Sequence, residues 1–285
     1  MSVINTNVKS LIAQNAMSVN NRSMDKAMQQ LSTGKRINSA QDDAAGLAIS
    51  NKMTAQIRGL NQAVRNANDG ISLLQTAEGA TQEITNMLQR MRELAVQAAN
   101  DTYQASDRSS LNAEVESLSA EISRIADNTE WNGMKLFTAG NAASGTGIGS
   151  GGVVTLQVGI GGSAGDRFTV TLTDIDATAL GVSAGAISLS TRSGATLALS
   201  ALDDAIETID AERSTYGATM NRLTYAIDNL TNISQNAQAS RSRIMDTDYA
   251  QATTELARSQ IIQQAATAML AQANQAPQSV LSLLR

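Results

Sequence analysis

Residues 60–100 read LNQAVRNANDGISLLQTAEGATQEITNMLQRMRELAVQAAN, and no proline interrupts them. Leu60, Val64, Ala67, Ile71 and Leu74 alternate steps of four and three, the spacing that keeps one face of a helix apolar. The phase then shifts, and Ile84, Leu88, Met91, Ala95 and Ala98 resume the alternation. Upstream, the pattern reaches back to a start signal at Ser39 to Asp43, so one helix is expected from there to about Ala99. At about 1.5 Å per residue, roughly 55 residues span on the order of 80 Å. Such a helix needs partners along its whole length.

Two further strips share its period. After a turn at Asn100 to Asp107, Leu111, Val115, Leu118, Ile122 and Ile125 form a strip that folds back antiparallel. Leu202, Ile206, Ile209, Arg213, Tyr216, Met220, Leu223, Ile227 and Leu230 keep the same alternation, broken only by Arg213. Three strips of one period predict a mainly α fold, a long coiled-coil-like helical bundle.

Both ends of the chain are apolar at the same spacing. Residues 1 to about 34 read as an amphipathic helix stopped by Ser32-Thr33-Gly34, with Ile4, Val8 and Leu11, then Met17, Met24, Met28 and Leu31 along it. At the other end Ile262, Ala266, Met269, Ala273, Ala276, Val280 and Leu283 alternate four and three. Pro277, the single proline, predicts a kink or helix end near Ala276. Two such seams, neither able to bury itself alone, are expected to pair with each other or with copies of the chain. The middle differs in character. Met134 to Phe137, Val153 to Val158 and Phe168 to Thr173 are short β-branched runs, and Thr138 to Gly152 is a Gly/Ser loop of low complexity. The expected organisation is therefore terminal helices at 1–40 and 245–285, a bundle at 41–130 and 197–244, and a small β-hairpin insert at 131–196.

Composition narrows the function. Aromatic residues make up 2% of the chain, so small aliphatic residues must supply the burial. A net charge of −5 lacks the basic stripe that nucleic acid demands. There is no histidine and no cysteine, which removes the commonest general base, the commonest metal ligand and thiolate chemistry. No cofactor and no enzymatic activity are expected. No run approaches the roughly 18 apolar residues that span a bilayer, and the start of the chain carries no pattern of a secretory leader.

The features that resemble chemistry read better as structure. Asp42 and Asp43 are paired carboxylates, but with Ser39 they sit where a helix start is capped and charge-complemented. Gly147, Gly149 and Gly152 match a dinucleotide fingerprint, yet a loop precedes them and a strand follows, the reverse of the required context. Asp246 and Asp248 with Asp228 or Glu255 lack the glycine and terminal glutamate of a calcium loop. The sequons at Asn100, Asn229 and Asn232 are chance matches.

Six blocks, in order, resemble bacterial flagellin: INTNVKSLIAQNA (Ile4 to Ala16), RINSAQDDAAGLAIS (Arg36 to Ser50), ANDGISLLQTAEGATQEI (Ala67 to Ile84), LQRMRELAVQAAND (Leu88 to Asp101), SRIMDTDYA (Ser242 to Ala250) and LAQANQAPQSVLSLLR (Leu270 to Arg285). The resemblance spans residues 1–140 and 200–285. It implies a filament subunit whose paired terminal helices line the inner tubes of a helical polymer, in a minimal form without large outer domains. Ile4, Val8, Leu11, Ile262, Ala266, Met269, Ala273, Val280 and Leu283 would carry the polymer interface. The resemblance also implies unfolded export through the flagellar type III channel to an extracellular filament. The partners it implies are an export chaperone, the hook–filament junction protein, the filament cap protein and a host Toll-like receptor. Receptor contacts would fall on Gln89, Arg90, Leu94, Gln97 and Glu114. The rival within the class is the hook–filament junction protein itself. Flagellins with an inserted zinc protease need histidines this chain lacks, and a membrane-active helix protein would need Lys/Arg-rich polar faces.

Overall fold

A computed structural model describes residues 7–137 and 152–282, with side chains described through Gln275. Among the described residues five α-helices follow in order: α1 Val8–Thr33, α2 Ala44–Ala99, α3 Ala105–Asn128, α4 Arg192–Met245 and α5 Tyr249–Ser282. Two small antiparallel sheets lie between α3 and α4, β1 Glu130–Trp131 with β2 Met134–Lys135, and β3 Val153–Gln157 with β4 Arg167–Thr171. The chain groups into two compact units, residues 1–57 with 235–285, and residues 58–234.

In the first unit α1 lies antiparallel on α5. Asn7 Nδ2 donates to the Ala273 carbonyl at 2.8 Å and Asn20 Nδ2 to the Ser259 carbonyl at 2.8 Å. α1 ends where the sequence stops it. Gly34 takes the left-handed conformation, φ 68°, and its N–H reaches the Gln30 carbonyl at 2.9 Å. α2 begins on the expected carboxylate, since Asp43 Oδ1 accepts from the Gly46 N–H at 2.8 Å. α5 is started by Asp248, whose Oδ1 accepts from Ala250 N at 2.9 Å.

The helix end expected near Ala276 is absent, because α5 continues to Ser282. Pro277 removes one N–H donor, and the carbonyl it leaves free, that of Ala273, accepts instead from Asn7 Nδ2 at 2.8 Å.

In the second unit the buried face of α2 runs Leu60, Ala63, Ala67, Gly70, Leu74, Ala77, Thr81, Ile84, Leu88, Met91, Ala95 and Ala98. The alternation of three and four is unbroken, so the expected phase shift after Leu74 does not occur. Small residues carry the seam where the sequence pattern points to Val64 and Ile71, which are only half-buried. The same substitution recurs on the partner helices. α3 buries Val115, Ser119, Ile122 and Ala126, and α4 buries Ala195, Ala198, Leu202, Ala205, Ile209, Tyr216, Thr219 and Leu223. Ile206 and Met220 pack from the flanks. Arg213 also stands at the flank, 4.0 Å from Glu78, and so does not break the buried row.

The β elements close the sides of this unit. Asn132 (φ 52°) and Gly133 (φ 76°) form the tight turn of the first hairpin, after which Leu136 and Phe137 enter the core. The second hairpin sits on α2. Asn66 Nδ2 donates to the Gln157 carbonyl at 2.9 Å, and Leu156 occupies the space a side chain on Gly70 would need. Arg222 of α4 lies over the Phe168 ring, 4.5 Å from its centroid. Residues 172–191 have no regular structure yet bury Leu172, Ile175, Leu180, Val182, Ile187 and Leu189. This strap supplies core that the expected β-hairpin insert does not contain. It is tied down by Asn112 of α3, whose Oδ1 accepts from the Leu189 N–H at 2.8 Å.

Candidate assembly interface

The terminal helices pair through a seam that mixes small and polar residues with a few large apolar ones. On α1 the less exposed row is Ser10, Ala13, Met17, Asn20, Met24, Ala27 and Leu31; on α5 it is Ala252, Leu256, Ser259, Gln263, Ala266, Leu270 and Ala273. A second set of large aliphatic residues faces away. Val8, Leu11, Ile12 and Val19 are all exposed on one face of α1, with Ile12 at 65%. On α5, Ile261 is 66% and Met269 65% exposed, and Ile262 is exposed beside them.

The expected interface residues therefore divide. Val8, Leu11, Ile262 and Met269 stand on outward faces, whereas Ala266 and Ala273 turn toward α1. Ile4, Leu283 and the side chain of Val280 lie outside the described residues. Ile12, Val19 and Ile261 belong to the outward faces and escape a reading that follows strict four–three steps. Their signal is the i, i+3, i+4 cluster Val8, Leu11, Ile12, with Val19 two turns further on.

Below this helix pair the link into α2 is organised by Asp42. Its carboxylate pairs with Lys26 Nζ at 3.1 Å and accepts from the N–H groups of Ser39 at 3.0 Å and Asn38 at 3.2 Å. Lys26 first, and then these donors, hold its pKa down at about 2. A carboxylate so committed is a structural clamp on the link before α2, and the capping expected of Ser39, Asp42 and Asp43 falls to Asp43.

In the second unit, Gln89, Arg90, Gln97 and Glu114 are exposed. The Arg90 guanidinium bridges Glu93 at 3.0 Å and Glu114 at 2.9 Å, and Gln97 Nε2 donates to the Tyr103 hydroxyl at 3.0 Å. Those two carboxylates raise the Arg90 pKa above its ordinary value. Leu94 differs from the expectation. It is 1% exposed and part of the core, because its place on α2 falls beside the seam residues Met91 and Ala95. Among the described residues no cluster of acidic side chains could hold a metal ion, and no helix is long and apolar enough to cross a membrane.

Comparisons with known proteins bear on what these faces do. Residues 4–142 match the bacterial flagellin N-terminal helical region, and residues 199–284 match the C-terminal helical region. The chain is 46% identical over 283 residues to a flagellin of Halalkalibacterium halodurans, covering 99% of this chain and 100% of that protein. It is 44% identical over 287 residues to the flagellar filament 33 kDa core protein of Treponema phagedenis, with 99% and 100% covered. The crystal structure of Bacillus cereus flagellin superposes with a TM-score of 0.50 at 35% identity, covering 58% of this chain and 88% of that one. A putative flagellar hook-associated protein from Vibrio parahaemolyticus reaches a TM-score of 0.58 over 72% of this chain and all of its own. At 17% identity, that likeness concerns the fold alone.

Proposed function

This chain belongs to the bacterial flagellin family and is a structural subunit of the flagellar filament, and we propose that the outward faces of α1 and α5 are the surfaces through which copies join. The observation that carries this reading is the division of residues on the terminal helices. The seam between α1 and α5 mixes small and polar side chains with Met17, Met24, Leu31, Leu256 and Leu270, while a second set of large side chains, Val8, Leu11, Ile12, Val19, Ile261, Ile262 and Met269, is left exposed. Burying one such side chain contributes about 1.5–3 kcal/mol, so the monomer forgoes a large stabilisation that a neighbour supplies. Joined head to tail without closing, such faces generate a helical polymer.

The same reading takes in the rest of the chain's working life. The subunit travels unfolded through the flagellar type III channel, held beforehand by a chaperone near its C-terminus, and works outside the cell. The absence of cysteine keeps an unfolded chain from cross-linking on the way. At the filament ends it meets the junction protein and the cap protein. The exposed set Gln89, Arg90, Gln97 and Glu114 offers a polar surface to a host Toll-like receptor, with Leu94 supporting it from beneath. Electron microscopy of purified protein after seeding tests the assembly reading. Micrometre-long filaments are expected; monomers that only cap existing filaments would favour the junction protein.

A further inference from the structure

We infer that the register of α1 on α5, and with it the set of apolar side chains offered to the next copy, is set by a main-chain clasp at Gly34–Arg36 and Met245–Thr247 rather than by packing along the helices. The consequence for assembly rests on the filament reading; the register itself does not.

Packing along the pair repeats itself. Ala13, Asn20 and Ala27 recur at every seventh residue of the α1 seam, and Ala252, Ser259, Ala266 and Ala273 at every seventh of the α5 seam. A slide by seven residues sets small side chains against small side chains again. The Asn20 bond does not prevent it, because Ser259 offers a main-chain carbonyl like that of any helical residue. Asn7 marks the register only at the far end of the pair, where Pro277 leaves the Ala273 carbonyl without its own N–H partner.

The clasp has no such repeat. Arg36 N donates to the Met245 carbonyl at 2.7 Å, and Thr247 N donates to the Gly34 carbonyl at 3.1 Å. The Arg36 guanidinium adds a bond to the Ile244 carbonyl at 2.7 Å. Within the helices, the N–H groups seven residues away are already spent on their own turns. The clasp also has a fixed place in the sequence, since Gly34 ends α1 at φ 68° and a Cβ there would stand 3.1 Å from the Tyr249 hydroxyl. Gln30 Nε2 then holds the Arg36 carbonyl at 3.0 Å. Only one register of the two helices lets these bonds form.

A chain without cysteine makes the test direct. In the full-length protein, the pair Ala13→Cys/Ala266→Cys reports the observed register, and Ala13→Cys/Ser259→Cys and Ala13→Cys/Ala273→Cys report slides of seven residues either way. With the clasp intact, mild oxidation of the monomer should close only the first pair. Asn20→Ala should leave that pattern unchanged. Arg36→Ala combined with Thr247→Pro, which removes one main-chain donor and the guanidinium, should lower closure of the first pair several-fold and let a slipped pair close. Slipped pairs that stay open in the double variant would overturn the inference, as would loss of all three cross-links or slipping caused by Asn20→Ala alone. A monomer held in one register that nevertheless fails to polymerise leaves the clasp standing and counts against the proposed outward face.

Discussion

The side-chain amide of Asn20 donates to the main-chain carbonyl of Ser259 at 2.8 Å, inside the seam between α1 and α5 and across 239 positions of sequence. A polar side chain at a buried helix–helix position weakens apolar packing but satisfies itself on the partner's backbone. The result is a pair of helices held together modestly and left apolar on the outside. Asn20→Ala should weaken the pairing by about 1 kcal/mol, the net worth of a typical hydrogen bond. Amide hydrogen exchange along α1 checks this: protection near residues 17–24 should fall, while protection in α3 should not change.

Tyr216 stands at the centre of the buried row on α4, with its ring fully enclosed and its hydroxyl without a protein partner. Burial, with Glu212 nearby, raises the phenol's pKa, so the group stays neutral throughout the ordinary pH range. Tyr216→Phe should therefore stabilise the second unit, by about 1 kcal/mol, because it removes a desolvated hydroxyl at little cost in packing. Chemical denaturation measures it. A loss of stability would mean that the hydroxyl is hydrogen-bonded in solution.

Much of this architecture is legible in the sequence. Helix boundaries at Gly34, Asp43 and Ala99, the turn after Ala99, and the weak β runs all follow from local chemistry that acts within a few residues. The identity of the seam residues does not. Pattern reading favours large aliphatic residues, and so selects Val64, Ile71, Ile206 and Met220, whereas the seams use Ala63, Gly70, Ala205 and Thr219. Small residues let helices and the Leu156 side chain approach closely, a requirement set by partners far away in sequence. The terminal helices show the same effect at the site. There large apolar residues stand on both faces, Met17 and Leu256 inward and Ile12 and Ile261 outward, and only the partner's position separates them. The strap at 172–191 escapes for another reason: its apolar residues follow no period, because no regular backbone carries them.

Asp42 gives the first unit an acid-sensitive clamp. Its folded pKa of about 2 lies below the roughly 3.9 of an unfolded aspartate, so its ionised form favours the fold above about pH 4. That contribution fades as the pH falls through 2. Asp42→Asn should accordingly be less stable than the unmodified chain at pH 7, with the two converging between pH 4 and pH 2. Circular dichroism melts across that range would show it, and a stability gap that persists at pH 2 would remove Lys26–Asp42 as the cause.

Arg90 is the most heavily engaged exposed residue on the candidate receptor surface, bonded to both Glu93 and Glu114. Arg90→Ala should abolish most receptor signalling by folded monomer while leaving its melting transition nearly unchanged, since exposed ion pairs contribute little to stability. A reporter-cell assay with matched melting curves separates the two effects. No signalling from the unmodified monomer would end the receptor reading for this chain.

On the proposed function, the outward aliphatic faces of α1 and α5 join neighbouring copies. Seeded assembly of an Ile12→Ser/Ile261→Ser double variant, followed by sedimentation and electron microscopy, tests it most directly. Both residues are about two-thirds exposed, so an unchanged monomer with an unshifted melting transition in the second unit is expected. The critical concentration for polymerisation should rise by at least tenfold, the effect of about 1.4 kcal/mol at the interface. Filaments forming at the concentration the unmodified chain requires would contradict it.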